Sequence, residues 1–238
     1  MPTPDNPASS HDIALWPLLQ LSDQLFPTGA FAYSHGLEAY VEQGLVQDRA
    51  TCQQLFETLC WHTLGPCDLV FCVHAFRRAA TGDLKVLVQL DRLLNAFKIT
   101  KELRLESQHT GQAFLRASLA LRPPPLAERF LQAIQQGTTP GHHAITFGLL
   151  TQSLGIPETN ALQSYLYTVV AAWVAAALRL VPLGQSDGQR LLHELMPTLR
   201  GILQCYRHLA PDEAWSCTPG LDIRSMQHER QYSRLFRS

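Results

Sequence analysis

Pro157–Arg179, PETNALQSYLYTVVAAWVAAALR, carries Leu162, Tyr165, Leu166, Val169, Val170, Trp173, Val174, Ala177 and Leu178 at intervals of three and four residues. That spacing is the one-sided apolar pattern of an α-helix. Pro157-Glu158 just ahead of it suits a first helical turn. Its most apolar run, Val169–Leu178, is closed by Arg179 and falls well short of the roughly 20 residues a membrane span needs. The expectation is a helix buried in protein, with no membrane.

The same period spreads outward from this segment. Leu191, Leu192, Leu195, Met196, Leu199, Ile202 and Leu203 form a second stripe. Leu84, Leu87, Leu90, Leu93, Leu94 and Phe97 form a third, and Leu55, Phe56, Leu59 and Cys60 begin a fourth. No run sustains the alternation of a half-buried strand. Short breaks separate the stripes: Gly65-Pro66, Thr81–Asp83, Arg122–Pro125, Gly137–Gly141, Gly155–Pro157 and Pro182–Gly184 all read as turns. The expected architecture is all-α, one domain of roughly eight to ten helices. Residues 1–11 are expected to form a flexible tail, residues 12–222 the helical domain, and residues 223–238 a C-terminal tail.

Composition narrows the function. Hydrophobic residues make up 46% and charged residues 16%, with a formal net charge of −1. No global field favours nucleic acid. Met1–His11 lacks the basic and apolar regions of a secretory signal. Six cysteines occur without a Cys-x-x-Cys pair, which fits reduced buried thiols and the cytoplasm.

Catalytic and metal signatures are sparse. No Gly-Lys pair exists, so the phosphate-binding loop of a nucleotide hydrolase is absent. Gly184-Gln185-Ser186-Asp187-Gly188 does match the nucleophile pattern G-x-S-x-G, with Asp212, Asp222 and His228 following in the order of a serine hydrolase. The helical segment before it offers no strand on which to mount Ser186. The preferred reading is a turn in which both glycines take positive φ and Ser186 and Asp187 cap the next helix. Ten histidines invite a metal, but His142-His143 are adjacent, and His193-Glu194 and His228-Glu229 lack the second histidine of a zinc motif. No metal or cofactor is expected within one chain. A nickel site shared across a dimer by His and Cys is the alternative.

Three segments read as recognition surfaces. The C-terminus, Arg224–Ser238, holds four Arg and one Glu, a formal +3, interleaved with Met226, Tyr232, Leu235 and Phe236. Arginine and aromatics are enriched in interface hot spots. Its candidate contacts are His228, Glu229, Tyr232, Arg234, Leu235, Phe236, Arg237 and Ser238, with Leu235 and Phe236 as anchors of a tail that orders on binding. The second candidate is Gln185, Ser186, Asp187 and Gln189. The third is Tyr33, His35 and Glu38, with His35 read as a hydrogen-bonded core residue. Lys101, Glu102, Arg104, Glu106 and His109 form a charged helix face, read as solvated or as a docking strip.

Several segments together resemble the UreF family of urease accessory proteins. Leu18–Glu38 carries Leu19, Leu21, Pro27, Gly29, Phe31, Tyr33, Ser34, Gly36, Leu37 and Glu38 of that family's opening. Glu102–Phe114 resembles its E-x-R-x-x-S-x-x-x-G-x-x-F helix, and His143–Gly148 adds a short patch. Arg179–Gln189, RLVPLGQSDGQ, is similar to its R-L-x-P-L-G-Q-x-x-G-Q turn, and His228–Ser238 to its H-E-x-x-x-x-R-L-F-R-S tail. The resemblance implies an all-α, non-enzymatic scaffold, usually a homodimer, acting on the urease apoprotein. Its implied partners are the UreD/UreH accessory protein and the nickel-carrying GTPase UreG, whose GTP hydrolysis it modulates.

Overall fold

The computed structural model describes residues 10–120, 125–232 and 234–237. The expected N-terminal tail up to residue 9, the prolines Pro123 and Pro124 of one expected break, and Ser238 lie outside the described residues. Eleven α-helices follow in order: α1 Ser10–Ser22, α2 Leu37–Glu42, α3 Arg49–Leu59, α4 Val70–Ala79, α5 Leu84–Phe97 and α6 Lys101–Leu119. The second half holds α7 Pro125–Gln135, α8 His143–Ser153, α9 Glu158–Leu180, α10 Gln185–Tyr206 and α11 Pro219–His228. A single 3₁₀ turn, Ala30–Ala32, precedes α2, and a π-helical segment, Cys60–Leu69, joins α3 to α4 without a break. Taking that continuous rod as one helix leaves ten, all packed in one bundle, with no strand among the described residues.

The stripes of α9 and α10 face the core, and in the α5 stripe Leu87, Leu90 and Leu94 are buried while Leu93 is exposed. Leu162, Tyr165, Leu166, Val170, Trp173, Val174 and Ala177 of α9 are buried, as are Leu191, Leu192, Leu195, Ile202 and Leu203 of α10. Among the described residues α9 is the one helix long and apolar enough to cross a membrane, and more than half of its most apolar window is buried inside the bundle. The centre is α8, where every residue from Ala144 to Thr151 is buried. Such an all-round apolar helix has to be enclosed on every side. Two glycines make the enclosure tight. A Cβ on Gly148 would lie 2.9 Å from Phe76 N and nearer still to Cys72 O of α4, and one on Gly111 of α6 would meet the backbone at Gly141–His143.

The Gly65-Pro66 break corrects the sequence reading. The helix runs straight through it, and Leu64–Leu69 are buried. Proline has no N–H to donate, and its ring crowds the carbonyl one α-turn back. Widening to π geometry accommodates such an interruption while keeping the rod continuous. The carbonyls around it find other donors: Trp215 N donates to Pro66 O at 3.1 Å and Cys217 N to His62 O at 2.9 Å. Tertiary contacts decide this segment, and local propensity does not.

Three loops set up the functional region. Asp23–Gly36 crosses the bundle surface between α1 and α2. Lys98–Thr100 leads into α6. After α11 the chain turns back so that residues 234–237 lie against α2, α6 and α9. α11 spans the boundary expected between residues 222 and 223, so the last helix and the tail form one structural feature.

Candidate functional site

Glu38 in the first turn of α2 and Glu102 in the first turn of α6 are the anchors. Glu38 Oε1 accepts from Leu235 N at 2.7 Å, and Oε2 accepts from Phe236 N at 3.0 Å. His228, at the end of α11 and wholly buried, faces both acids: Nε2 lies 3.0 Å from Glu38 Oε2 and Nδ1 lies 2.8 Å from Glu102 Oε2. Arg234 Nη1 donates to Glu102 Oε1 at 3.1 Å. Each acid therefore serves two or three donors, which is how a buried carboxylate is tolerated. Lys101 and Glu229 add an exposed pair at 2.7 Å, a contact of small net weight.

A second layer ties the tail to the Asp23–Gly36 loop. The Arg179 guanidinium at the end of α9 sits between two rings, 3.8 Å from the Phe31 centroid and 4.1 Å from that of Phe236. Arg179 Nη1 also donates to Phe31 O at 2.7 Å, and Arg237 N donates to Ala32 O at 2.9 Å. Cation–π contacts of this kind strengthen as they are desolvated, and Phe236 is only 5% exposed. Nearby, the Tyr33 hydroxyl lies 2.9 Å from His109 Nδ1, and His35 Nδ1 pairs with Glu106. Burial pushes the Tyr33 hydroxyl above its ordinary pKa, with Glu106 adding to the rise. His35 adopts φ 58°, the only positive φ at a non-glycine among the described residues.

Tyr33, His35 and Glu38 thus meet the C-terminal candidates in one cluster. The charged face of α6 is not merely solvated: Glu102 and Glu106 are engaged by the tail and the loop. The expectation of a tail free until it meets a partner is corrected, because Phe236 already fills a site on its own chain. Tyr232 is fully exposed and Leu235 is 69% exposed, so these two face outward. The remaining candidates stand apart. Gln185, Ser186 and Gln189 are exposed on the first turns of α10, and Asp187 Oδ2 accepts from Gly184 N at 3.2 Å.

That geometry also corrects the turn reading. Gly184 has φ −80°, and Gly188 lies inside α10, where an added Cβ would come within 2.9 Å of Leu178. Gly188 is therefore a packing residue. Ser186 sits on a helix with no strand behind it, and His228, the base it would need, has both ring nitrogens committed. The nucleophile reading has no geometric support.

Beneath the loop lies a feature the sequence reading missed, a cavity of about 530 Å³. Its apolar wall includes Phe26, Phe114, Phe147 and Trp173, and its polar end holds Asp68, Lys98, His143 and Tyr165. Lys98 Nζ lies 2.7 Å from Asp68 Oδ1. Burial works against the Lys98 charge, yet Asp68, Cys67 and Glu106 together outweigh it and hold the amine above its ordinary pKa. Burial pulls His143 down to about 4. The available signal was Asp68 itself, an acid inside the apolar run PCDLVFCV.

Metal-binding capacity is limited. Among the described residues no group of three or more His, Cys, Asp or Glu is arranged to hold an ion. Cys52, Cys60, Cys67 and Cys72 are buried, and burial raises the pKa of each thiol, to about 11 for Cys52 and about 12 for Cys60. Cys205 and Cys217 are exposed.

The fold and this site define an all-helical protein whose most elaborate polar cluster joins its own C-terminus to its opening loop. Comparison with known proteins gives the family. Residues 46–196 match the UreF family model. The chain is 35% identical over 231 residues to a urease accessory protein UreF from Arthrobacter sp. (strain FB24), covering 97% of this chain and 99% of that protein. It is 34% identical over 231 residues to that of Rhodopseudomonas palustris (strain BisB5), covering 97% and 94%, and 31% identical over 221 residues to that of Bacillus sp. (strain TB-90), covering 93% and 97%. The chain belongs to the UreF family.

Proposed function

We propose that this chain is a urease accessory scaffold that joins the UreD/UreH protein to the nickel-carrying GTPase UreG and assists nickel insertion into the urease apoprotein. The observation that carries the reading is the match, over nearly its whole length, to relatives named urease accessory protein UreF. The proposed scaffold acts without a catalytic set of its own and modulates GTP hydrolysis in its partner. Under the same reading it works in the cytoplasm as a homodimer.

Within this reading the C-terminal cluster is the first partner surface. Tyr232 and Leu235 are exposed beside a tail fixed by Glu38 and Glu102, so they present apolar groups on a backbone whose ordering entropy is already spent. Gln185, Ser186, Asp187 and Gln189 are the second surface. Co-purification with UreD/UreH and UreG tests both. Leu235→Ala should weaken capture of UreD/UreH about tenfold or more, the scale of an interface anchor, while leaving the melting temperature unchanged. Full capture by a Tyr232→Ala, Leu235→Ala double variant would remove the tail from the interface, and no capture by the unaltered chain would end the scaffold reading.

A further inference from the structure

We propose that Arg234–Arg237 act as a strap, and that residues 23–36 are a lid which the strap holds down over a partly open cavity. Displacing the strap widens the mouth of the cavity and admits small solutes more freely. The lid is a wall of the cavity, contributed through Phe26, Pro27, Thr28, Phe31 and His35. Apart from one 3₁₀ turn it has no regular structure, and outside the buried Phe26, which packs on Phe114, its middle is exposed. Leu25 and Phe31 are 89% and 73% exposed. The described polar attachments of Phe31 and Ala32 to the rest of the protein run through Arg179 and Arg237: Arg179 Nη1 on Phe31 O, and Arg237 N on Ala32 O.

Phe236 completes the fastening. Its ring presses on the face of Arg179 opposite Phe31, so Arg179, itself at the cavity edge, is clamped between lid and strap. The strap is anchored independently of the lid, through the two backbone N–H groups that Glu38 accepts. A second observation shows that the closed lid is under load. His35 is held at φ 58°, and its Nε2 is buried without a hydrogen-bond partner. A left-handed non-glycine residue and an unsatisfied buried nitrogen each oppose the closed state. Opening relieves both but has to break the Tyr33–His109 and His35–Glu106 contacts to α6, so the lid is held from beneath at residues 33–35 and from outside, by the strap, at Phe31 and Ala32.

This inference concerns the chain alone and is independent of any partner. Trp173 lines the cavity, which gives a direct readout. The full chain is labelled with 5-fluorotryptophan, and the neutral nitroxide TEMPOL is added as the solute. In Phe236→Ala, and in a chain ending at Tyr232, paramagnetic broadening of the Trp173 resonance should rise several-fold over the unaltered chain, with Trp61 unchanged. Unaltered broadening at Trp173 in both variants, with thermal melting showing both folded, would overturn the proposal. If neither variant folds, hydrogen exchange in the unaltered chain decides. The amides of Leu235, Phe236 and Arg237 should exchange in step with those of Ala32 and Tyr33. Lid amides that stay protected by roughly tenfold or more after the strap amides have exchanged would overturn it equally.

Discussion

At the scale of single residues, Glu38 concentrates the most consequence. It accepts two backbone N–H groups and faces a wholly buried histidine. Glu38→Ala leaves His228 with one acid and the tail without its acceptors, and removing one partner of a buried ionic set costs about 3 kcal/mol. Urea denaturation should show a loss of that size. A loss below about 0.5 kcal/mol, the range of an ordinary surface change, would mean that the cluster does not hold the tail. The residues of this cluster were legible as motif positions, and their partnership was not. Glu38 and His228 lie 190 positions apart, and no local pattern announces such a pair. Glu102 was misread for a related reason: charged residues at helical spacing are usually solvated, and only the arrival of His228 and Arg234 buries this one.

Among the elements, helices α9 and α10 could be read from apolar period alone, because each presents a stripe to one core. The rod from α3 to α4 could not. Gly65-Pro66 carries a turn signal that is overruled only by the packing of Leu64–Leu69 and by the donors from residues 215 and 217. The contact of α8 with α4 makes a sharper test. Gly148→Ala drives a Cβ against the α4 backbone, where no flexible side chain can move aside. Overpacking of this kind should lower stability by about 3 kcal/mol, and a loss under about 0.5 kcal/mol would show that the two helices separate freely. The N-terminus of α10 is expected to behave in the opposite way. Gln185→Ala should change stability by less than about 0.5 kcal/mol, whereas Asp187→Ala should lose about 1 kcal/mol through its contact with Gly184 N. Equal losses from the two would place Gln185 in the cap as well.

The whole molecule is expected to be acid-sensitive, and the sign follows from two adjacent histidines. Burial, assisted by the charges of Lys98 and Arg104, holds His142 at about 3, and burial holds His143 at about 4, against an ordinary 6.5. The folded state therefore refuses protons that the unfolded chain accepts. The stability from these groups is complete above about pH 6.5 and is lost as pH falls through about 4 and towards about 3. Asp91 acts against this trend. Burial raises it from 3.8 to about 6, despite hydrogen bonds from Thr139, Gly141 and His142, so its contribution is present at low pH and lost as pH rises through about 6. Two large histidine shifts outweigh one carboxylate shift. The urea midpoint should fall on acidification below about pH 6.5, and His142→Gln should flatten that fall. An equal slope in the variant would assign the acid sensitivity elsewhere. The fold class of the molecule was legible because α5, α9 and α10 each advertise a helical period, while the all-round apolar α8 does not. The cavity was not, since an empty volume has no residue type of its own and is bounded by side chains from distant parts of the chain.

The tail's position against α2 has a consequence during synthesis. Residues 234–237 are made long after their acceptors, Glu38, Glu102 and Ala32. The bundle can assemble as its helices emerge, since domains fold progressively as the chain is made. The fastening has to wait until residues 234–237 have themselves emerged. Of the contacts that hold residues 234–237, all therefore form late, onto acceptors that the earlier helices have already placed.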